Sequence, residues 1–242
     1  MIELSEVSKQ FGDQKILDRM TLRVPKGETY VLMGPSGIGK SVTLKHIIGI
    51  LEPDEGQVLV DGQSIPDLDR TGLMSMRRRM GYLFQDGALI NWLTILENVS
   101  LPLAEHTRRS KASIEERARE VLDLVGMGHA ADRYPADISG GMKLRTGLAR
   151  ALVNEPEIVL YDEPNAGLDP IISDQIHKLI VRVADTLGVT GLVVTHSRAC
   201  ATSVASRIGI IRDGRIGAEG TVEEMMASRD QLVRDFLGGG AD

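Results

Sequence analysis

Apolar residues in this chain fall into short continuous runs, separated by glycine- and proline-bearing turns. Residues 2–7, 21–24, 29–33 and 57–60 read as strands, with turns at Pro25-Lys26-Gly27 and Asp61-Gly62, the second suited to a hairpin. From Lys40 the spacing becomes helical through Ile50 and stops near Pro53. A further strand at 80–84 precedes a change of texture. Residues from about 87 to 154 are mostly helical, and Ser113 with Glu116 three residues later has the form of a capping box. This stretch reads as an inserted helical lobe. Strands at 158–161, 191–195, 208–212 and 215–218 then alternate with helices at 170–187 and 198–205, and Asp213-Gly214 turns the last pair. Runs such as Ile158-Val159-Leu160 and Leu192-Val193-Val194 lack polar alternation, which suits parallel strands covered on both faces. The tail, from about Met225, is an amphipathic helix candidate (the apolar spacing covers 222–237) with a frayed end at Gly238-Gly239-Gly240. The plan is one α/β domain over 1–225, with the lobe at about 87–154 inside it, and a tail at 226–242.

Composition narrows the classes. With 42% hydrophobic and 26% charged residues the chain is globular in type, and at 3% aromatic content aliphatic side chains must build its core. A formal net charge of −6, with basic residues scattered, argues against a nucleic-acid partner. The run Arg77-Arg78-Arg79 reads better as a solvated helix end before the 80–84 strand. Cys200 is the sole cysteine, so an internal disulfide or cysteine-rich zinc cluster is excluded and a reducing compartment fits. The first residues lack an apolar signal-peptide core, and no apolar run approaches the roughly 18 residues a spanning helix needs. Work at a membrane therefore requires a docked partner.

The candidate chemistry lies at strand ends. Gly34-Pro35-Ser36-Gly37-Ile38-Gly39-Lys40-Ser41 is a full G-x-x-x-x-G-K-S between a strand and a helix, continued by Val42. Its glycines let successive N–H groups turn toward phosphate oxygens, and the helix adds its positive end. Lys40 supplies a charge to β- and γ-phosphates, and the Ser41 hydroxyl is placed to ligate Mg²⁺. The strand 158–161 runs into Asp162 and Glu163: Asp162 is placed to hold the ion, and Glu163 to act as general base on water attacking the γ-phosphate. By itself, a core strand reaching a solvated acidic loop is a common structural feature. The phosphate loop tips the reading toward catalysis. Ile138-Ser139-Gly140-Gly141-Met142 opens a helix with Ser139 as N-cap and Gly140 and Gly141 exposing N–H groups, a second phosphate-binding end. Gln85 and His196 each end a strand, as candidate contacts to metal or attacking water and to the γ-phosphate, and Phe11 in the loop 9–12 is a candidate to stack on adenine.

In this order, GPSGIGKS, Gln85, ISGGM, IVLYDEP, Gly167-Leu168-Asp169 and His196 resemble the ABC ATPase family over nearly the whole chain. The resemblance implies a P-loop NTPase fold: a mostly parallel central sheet, an N-terminal antiparallel β-subdomain and an inserted helical lobe. It implies Mg²⁺-dependent ATP hydrolysis by a homodimer, in which the phosphate loop of one copy faces Ser139-Gly140-Gly141 of the other. Asp169 would sit in the loop linking the two sites, His196 would be the switch histidine, and the lobe around 85–101 would grip a transmembrane partner. The segments 39–45, 83–89, 101–107 and 233–237, together with Met142, resemble the Mla/Mce-associated branch, whose members energise phospholipid or other hydrophobic-lipid traffic between bacterial membranes. That branch implies integral-membrane permease subunits, an Mce-type substrate-binding protein and a place on the cytoplasmic face of the inner membrane. The 222–237 segment is a candidate surface for a small regulatory subunit. Ile138, Met142 and Asn165-Ala166-Gly167 depart from the commonest family pattern, the first two outside the Ser-Gly-Gly core. Two other readings stay open: the ATPase of an amino-acid or ion importer, and a non-transport ABC ATPase that switches a cell-envelope complex.

Overall fold

The structure is a computed structural model that describes residues 1–238; Gly239 and Gly240, the end of the expected frayed tail, lie outside the described residues. The chain opens with β1 (Ile2–Phe11), β2 (Gln14–Val24), β3 (Thr29–Met33) and α1 (Lys40–Ile47). Next come β4 (Glu55–Val60), β5 (Gln63–Ser64), α2 (Arg70–Arg78) and β6 (Met80–Leu83). Three helices follow, α3 (Ile95–His106), α4 (Lys111–Leu124) and α5 (Gly140–Leu152). The remainder alternates: β7 (Ile158–Asp162), α6 (Pro170–Leu187), β8 (Thr190–Thr195), α7 (Arg198–Val204), β9 (Arg207–Arg212) and β10 (Arg215–Thr221). Two short helices, α8 (Val222–Met226) and α9 (Gln231–Leu237), complete it.

One antiparallel sheet has the order β2-β1-β4-β5; the other runs β10-β9-β3-β8-β7-β6, parallel except for the β10–β9 pair. All five residues of β3 and all six of β8 are buried, as expected for strands with helices or another sheet on both faces. Alternate side chains serve separate cores. Tyr30, Leu32, Ile158, Leu160, Leu192 and Val194 face α1 and the antiparallel sheet, whereas Val31, Met33, Val159, Tyr161 and Val193 face the helices α3 to α7. This arrangement brings the C-terminal ends of β3, β6, β7 and β8 to one edge, where the phosphate loop and the acidic pair emerge.

The structure corrects several local expectations. Phe11 is the last residue of β1, paired with Gln14, rather than a loop residue. Irregularities of register after Leu4, Val7 and Lys9 break the alternation in β1 that would have marked its full length. α1 stops at Ile47, three residues early, because the chain turns back and the N–H groups of Ile50 and Leu51 both donate to Lys45 O at 2.9 and 3.2 Å. Ser113 is not the cap of α4. Ser110 is, and its hydroxyl accepts the Ser113 N–H at 3.3 Å. The tail forms two helices, because Thr221 and Glu224 make a capping box that starts α8 and Asp230 caps α9 independently. α2 had no counterpart in the apolar pattern; Asp69 starts it by accepting the Gly72 N–H at 2.7 Å. It does end in the arginine run, where Arg77 donates to Ile48 O and Gly49 O and Arg79 pairs with Glu157 at 2.7 Å.

Candidate active site

Gly39 explains why the phosphate loop needs its last glycine. It sits at φ 115°, in the left-handed region, and an added Cβ would lie 2.9 Å from Leu17 Cδ2 and 3.0 Å from Ile16 Cγ2. The loop therefore closes onto β2 and delivers Lys40 into the interior. Lys40, 5% exposed, donates to Gly34 O at 2.8 Å and Pro35 O at 3.0 Å and lies 3.2 Å from Glu163 Oε1. Its ammonium is thus held by backbone carbonyls and a carboxylate while still bordering an open cavity.

That cavity, about 240 Å³, is lined by Ser36, Gly37, Gly39, Lys40, Ser41, Val42, Gln85 and Glu163. Pro35 and Ile38 face the other way, into a space shared with Phe236 of α9, so any part they take in phosphate binding is through the backbone. Gly34 packs against Ile211, where a Cβ would approach within 2.4 Å.

Asp162 ends β7 with both carboxylate oxygens engaged. Ser41 Oγ donates to Oδ1 at 2.8 Å, and the Tyr82 hydroxyl donates to Oδ2 at 2.9 Å. Glu163 follows at φ 47°, a strained backbone for a glutamate, fixed by its N–H donating to Val194 O at 2.9 Å. Its Oε2 lies 3.0 Å from His196 Nδ1 and accepts the His196 N–H at 3.3 Å. The carboxylate therefore bridges the lysine of one strand end and the histidine of another. Lys40, Ser41, Gln85, Asp162, Glu163 and His196 converge here, although they are spread over more than 150 positions of sequence.

Five expected contributors, Ser139, Gly140, Gly141, Asp169 and Phe11, sit elsewhere. Ser139 caps α5 by accepting the Met142 N–H at 3.4 Å, and Gly140 beside it is exposed. A Cβ on Gly141 would meet Ile172 Cγ2 at 2.5 Å, so this helix start nests against the start of α6. Asp169 is there too, capping α6 by accepting the N–H groups of Ile171 and Ile172 at 3.0 Å. Ser139, Gly140 and Asp169 thus form a second exposed cluster that does not line the phosphate cavity. Phe11 is 46% exposed, outside that cavity, with Lys9 Nζ 5.7 Å from its ring centroid.

Two residues went unnoticed in the sequence. Tyr82 sits within an apolar strand, and the only sign of its role is a polar tip one position before that strand ends at Leu83. Arg150 donates to Gly87 O at 2.7 Å and Ala88 O at 2.8 Å, tying the segment after Gln85 to α5. Burial lowers the pKa of its guanidinium, and the two carbonyls answer that cost.

The sequence profile of the ABC transporter family matches residues 17–166. The chain belongs to the ABC transporter family. As an ABC ATPase it hydrolyses ATP, and the match spans both the phosphate loop and the acidic pair. The intermembrane phospholipid transport system ATP-binding protein MlaF of Escherichia coli K12 is 40% identical over 242 residues, covering all of this chain and 90% of MlaF. The probable ribonucleotide transport ATP-binding protein mkl of Mycobacterium leprae is 41% identical over 238 residues, 98% of this chain and 69% of mkl. The mkl protein of Mycobacterium tuberculosis H37Rv is 40% identical over 238 residues, 98% of this chain and 66% of that protein. Among solved structures, dimeric MJ0796, a bacterial ABC transporter cassette, superposes with a TM-score of 0.84 at 36% identity, covering 92% of this chain and 99% of that one. A post-hydrolysis dimer of MJ0796 bound to ADP and Pi gives a TM-score of 0.83.

Proposed function

We propose that this ABC ATPase powers movement of phospholipid or another hydrophobic lipid through a separate integral-membrane permease, working as a homodimer on the cytoplasmic face of the membrane. The observation that carries the lipid reading is the end-to-end match to MlaF, which leaves little of either chain unaligned. The printed name of mkl points instead to ribonucleotides, but its match leaves about a third of that protein uncovered. An Mce-type substrate-binding protein and a small regulatory subunit belong to the same reading. The dimer is supported by the exposed Ser139-Gly140-Asp169 cluster, which needs a second copy's phosphate cavity to face bound nucleotide, and by the dimeric MJ0796 relatives.

The catalytic roles follow from the cavity. Lys40 binds the β- and γ-phosphates together with the loop N–H groups. Ser41 and Asp162 offer hard oxygen donors 2.8 Å apart, Gln85 lines the same cavity, and the described residues hold no cluster of three or more His, Cys, Asp or Glu, so a cation here would complete its shell with Gln85, phosphate oxygens and water. That donor set fits Mg²⁺ arriving with ATP, which would neutralise charge on the phosphates. Glu163 takes a proton from the attacking water, Gln85 orients that water at the cavity mouth, and His196 fixes Glu163 and contacts the γ-phosphate. No helix among the described residues is long and apolar enough to cross a membrane, so coupling must pass through a docked partner. A groove of about 400 Å³, lined in part by Met74, Arg77, Arg78, Pro102, His106 and Arg150, separates the helical lobe (residues 87–154) from the core and is where the permease would dock.

The test is purification of the tagged protein from native membranes in mild detergent, with mass spectrometry of partners and lipids. A multi-span permease with an Mce-type protein and phospholipid is the expected catch. An amino-acid permease, a nucleotide permease or a division-type membrane protein would overturn the lipid assignment and leave the ATPase standing.

A further inference from the structure

We infer that Tyr82 is a positioning residue that holds Asp162 at the metal site and transmits to it the state of the permease-facing groove. The inference rests on the reading of Ser41 and Asp162 as the Mg²⁺ site. Three observations support it. First, β6 and β7 are parallel, with Tyr82 opposite Leu160, so the ring lies on the same face as Asp162 two residues further on and its hydroxyl reaches Oδ2 at 2.9 Å. Second, the other oxygen of that carboxylate accepts from Ser41 at 2.8 Å, so Tyr82 and the phosphate-loop helix hold Asp162 from two sides. Third, Tyr82 lines the groove alongside Met74 and Arg78, and its ring packs on Phe84 with centroids 4.4 Å apart. One residue therefore lines the groove and reaches the metal carboxylate with its hydroxyl.

The Tyr82 hydroxyl donates to Oδ2 while Ser41 holds Oδ1, so the phenol acts on Asp162 as a neutral hydrogen-bond donor. A donor of this kind fixes which carboxylate oxygen is left for a cation and how it points. A helix or loop seated in the groove would press on the ring, and a small tilt would move the hydroxyl relative to Oδ2.

The test uses the full chain carrying Glu163→Gln, so that bound ATP persists, and Mn²⁺ in place of Mg²⁺, with free Mn²⁺ followed by electron paramagnetic resonance. Adding Tyr82→Phe should weaken Mn²⁺ binding by about 10-fold, the effect of losing a partner behind a metal ligand. Asp162→Asn should weaken it at least as much. Matching melting curves without nucleotide would show that the phenylalanine variant is folded. Unchanged Mn²⁺ affinity in Tyr82→Phe, with Asp162→Asn impaired, overturns the role of Tyr82; unchanged affinity in both overturns the metal site itself. For the groove, Met74→Cys is labelled with a bulky maleimide, selectively because Cys200 is fully buried. The label should shift Mn²⁺ affinity when Tyr82 is present and not in Tyr82→Phe. Equal shifts in both, or none in either, overturn the transmission.

Discussion

Glu163 and Lys40 are ion-paired to each other, yet their substitutions act on different quantities. Glutamine at 163 preserves size and the reach to Lys40 and His196 but cannot accept a proton from water. Glu163→Gln should therefore lower ATP turnover by about 10²- to 10⁴-fold, the usual contribution of a general base, while nucleotide affinity stays within a few-fold. Steady-state phosphate release alongside fluorescent-nucleotide titration checks both, and normal turnover would remove Glu163 from the role of base. Lys40→Ala acts on the opposite quantity. It deletes charge-assisted contacts worth about 1.5–3 kcal/mol, so ATP affinity should fall by about 10- to 100-fold. It also strands Gly34 O and Pro35 O, which the lysine satisfies at 2.8 and 3.0 Å, so the loop itself should loosen. Unchanged ATP affinity in this variant would contradict the phosphate-loop geometry.

At the level of elements, helix starts give a sharp check on how the lobe is built. Ser110 rather than Ser113 caps α4, its hydroxyl accepting the Ser113 N–H in the first turn. Ser110→Ala should cost about 1 kcal/mol of stability, and Ser113→Ala less than about half of that, since the second hydroxyl caps nothing. Urea titration of the two variants decides it, and equal losses would refute the assignment. The same comparison shows what was legible in advance. Local signals could be read directly: the glycine-rich loop between strand and helix, the strand running into Asp162-Glu163, and the helix Pro170–Leu187, though not its Asp169 cap. What escaped depends on contacts between distant segments or on competing local signals. β1 is broken by register shifts imposed by its two neighbours. The tail has one continuous amphipathic spacing, yet the caps at Thr221 and Asp230 divide it, because satisfying terminal N–H groups outweighs periodicity over so few residues. Tyr82 could not be assigned from its own neighbourhood, because its partner is 80 positions away.

Considered whole, the molecule has two cores, one on each face of its six-stranded sheet, and each is bordered by a buried histidine. His46 on α1 is 1% exposed and His177 on α6 is 3% exposed. His46 Nδ1 donates to Leu51 O at 2.9 Å, which leaves Nε2 as the unprotonated nitrogen, buried without a partner; His177 Nε2 is also unpartnered. Burial is the main reason both pKa values fall below 6.5, with Lys9 lowering that of His46 further, against opposing effects of the Leu51 carbonyl and Asp54 on His46 and of Asp174 on His177. The sign follows directly. Below about pH 6.5 the unfolded chain binds protons that the folded chain refuses, so stability is level above neutrality and declines as pH falls from 6.5 toward the depressed folded values. The slope can reach about 1.4 kcal/mol per pH unit for each histidine. Melting temperatures from pH 7.5 to 5.5 should therefore drop for the native sequence and drop less for the combined His46→Gln and His177→Gln variant. Parallel slopes would mean that other groups carry the acid sensitivity and that both imidazoles protonate in place. The expected outcome also bears on function. His46 lies on the helix that begins with Lys40 and Ser41, so charging it loosens the element that presents both residues to the phosphates, and ATP affinity should decline over the same pH interval as stability.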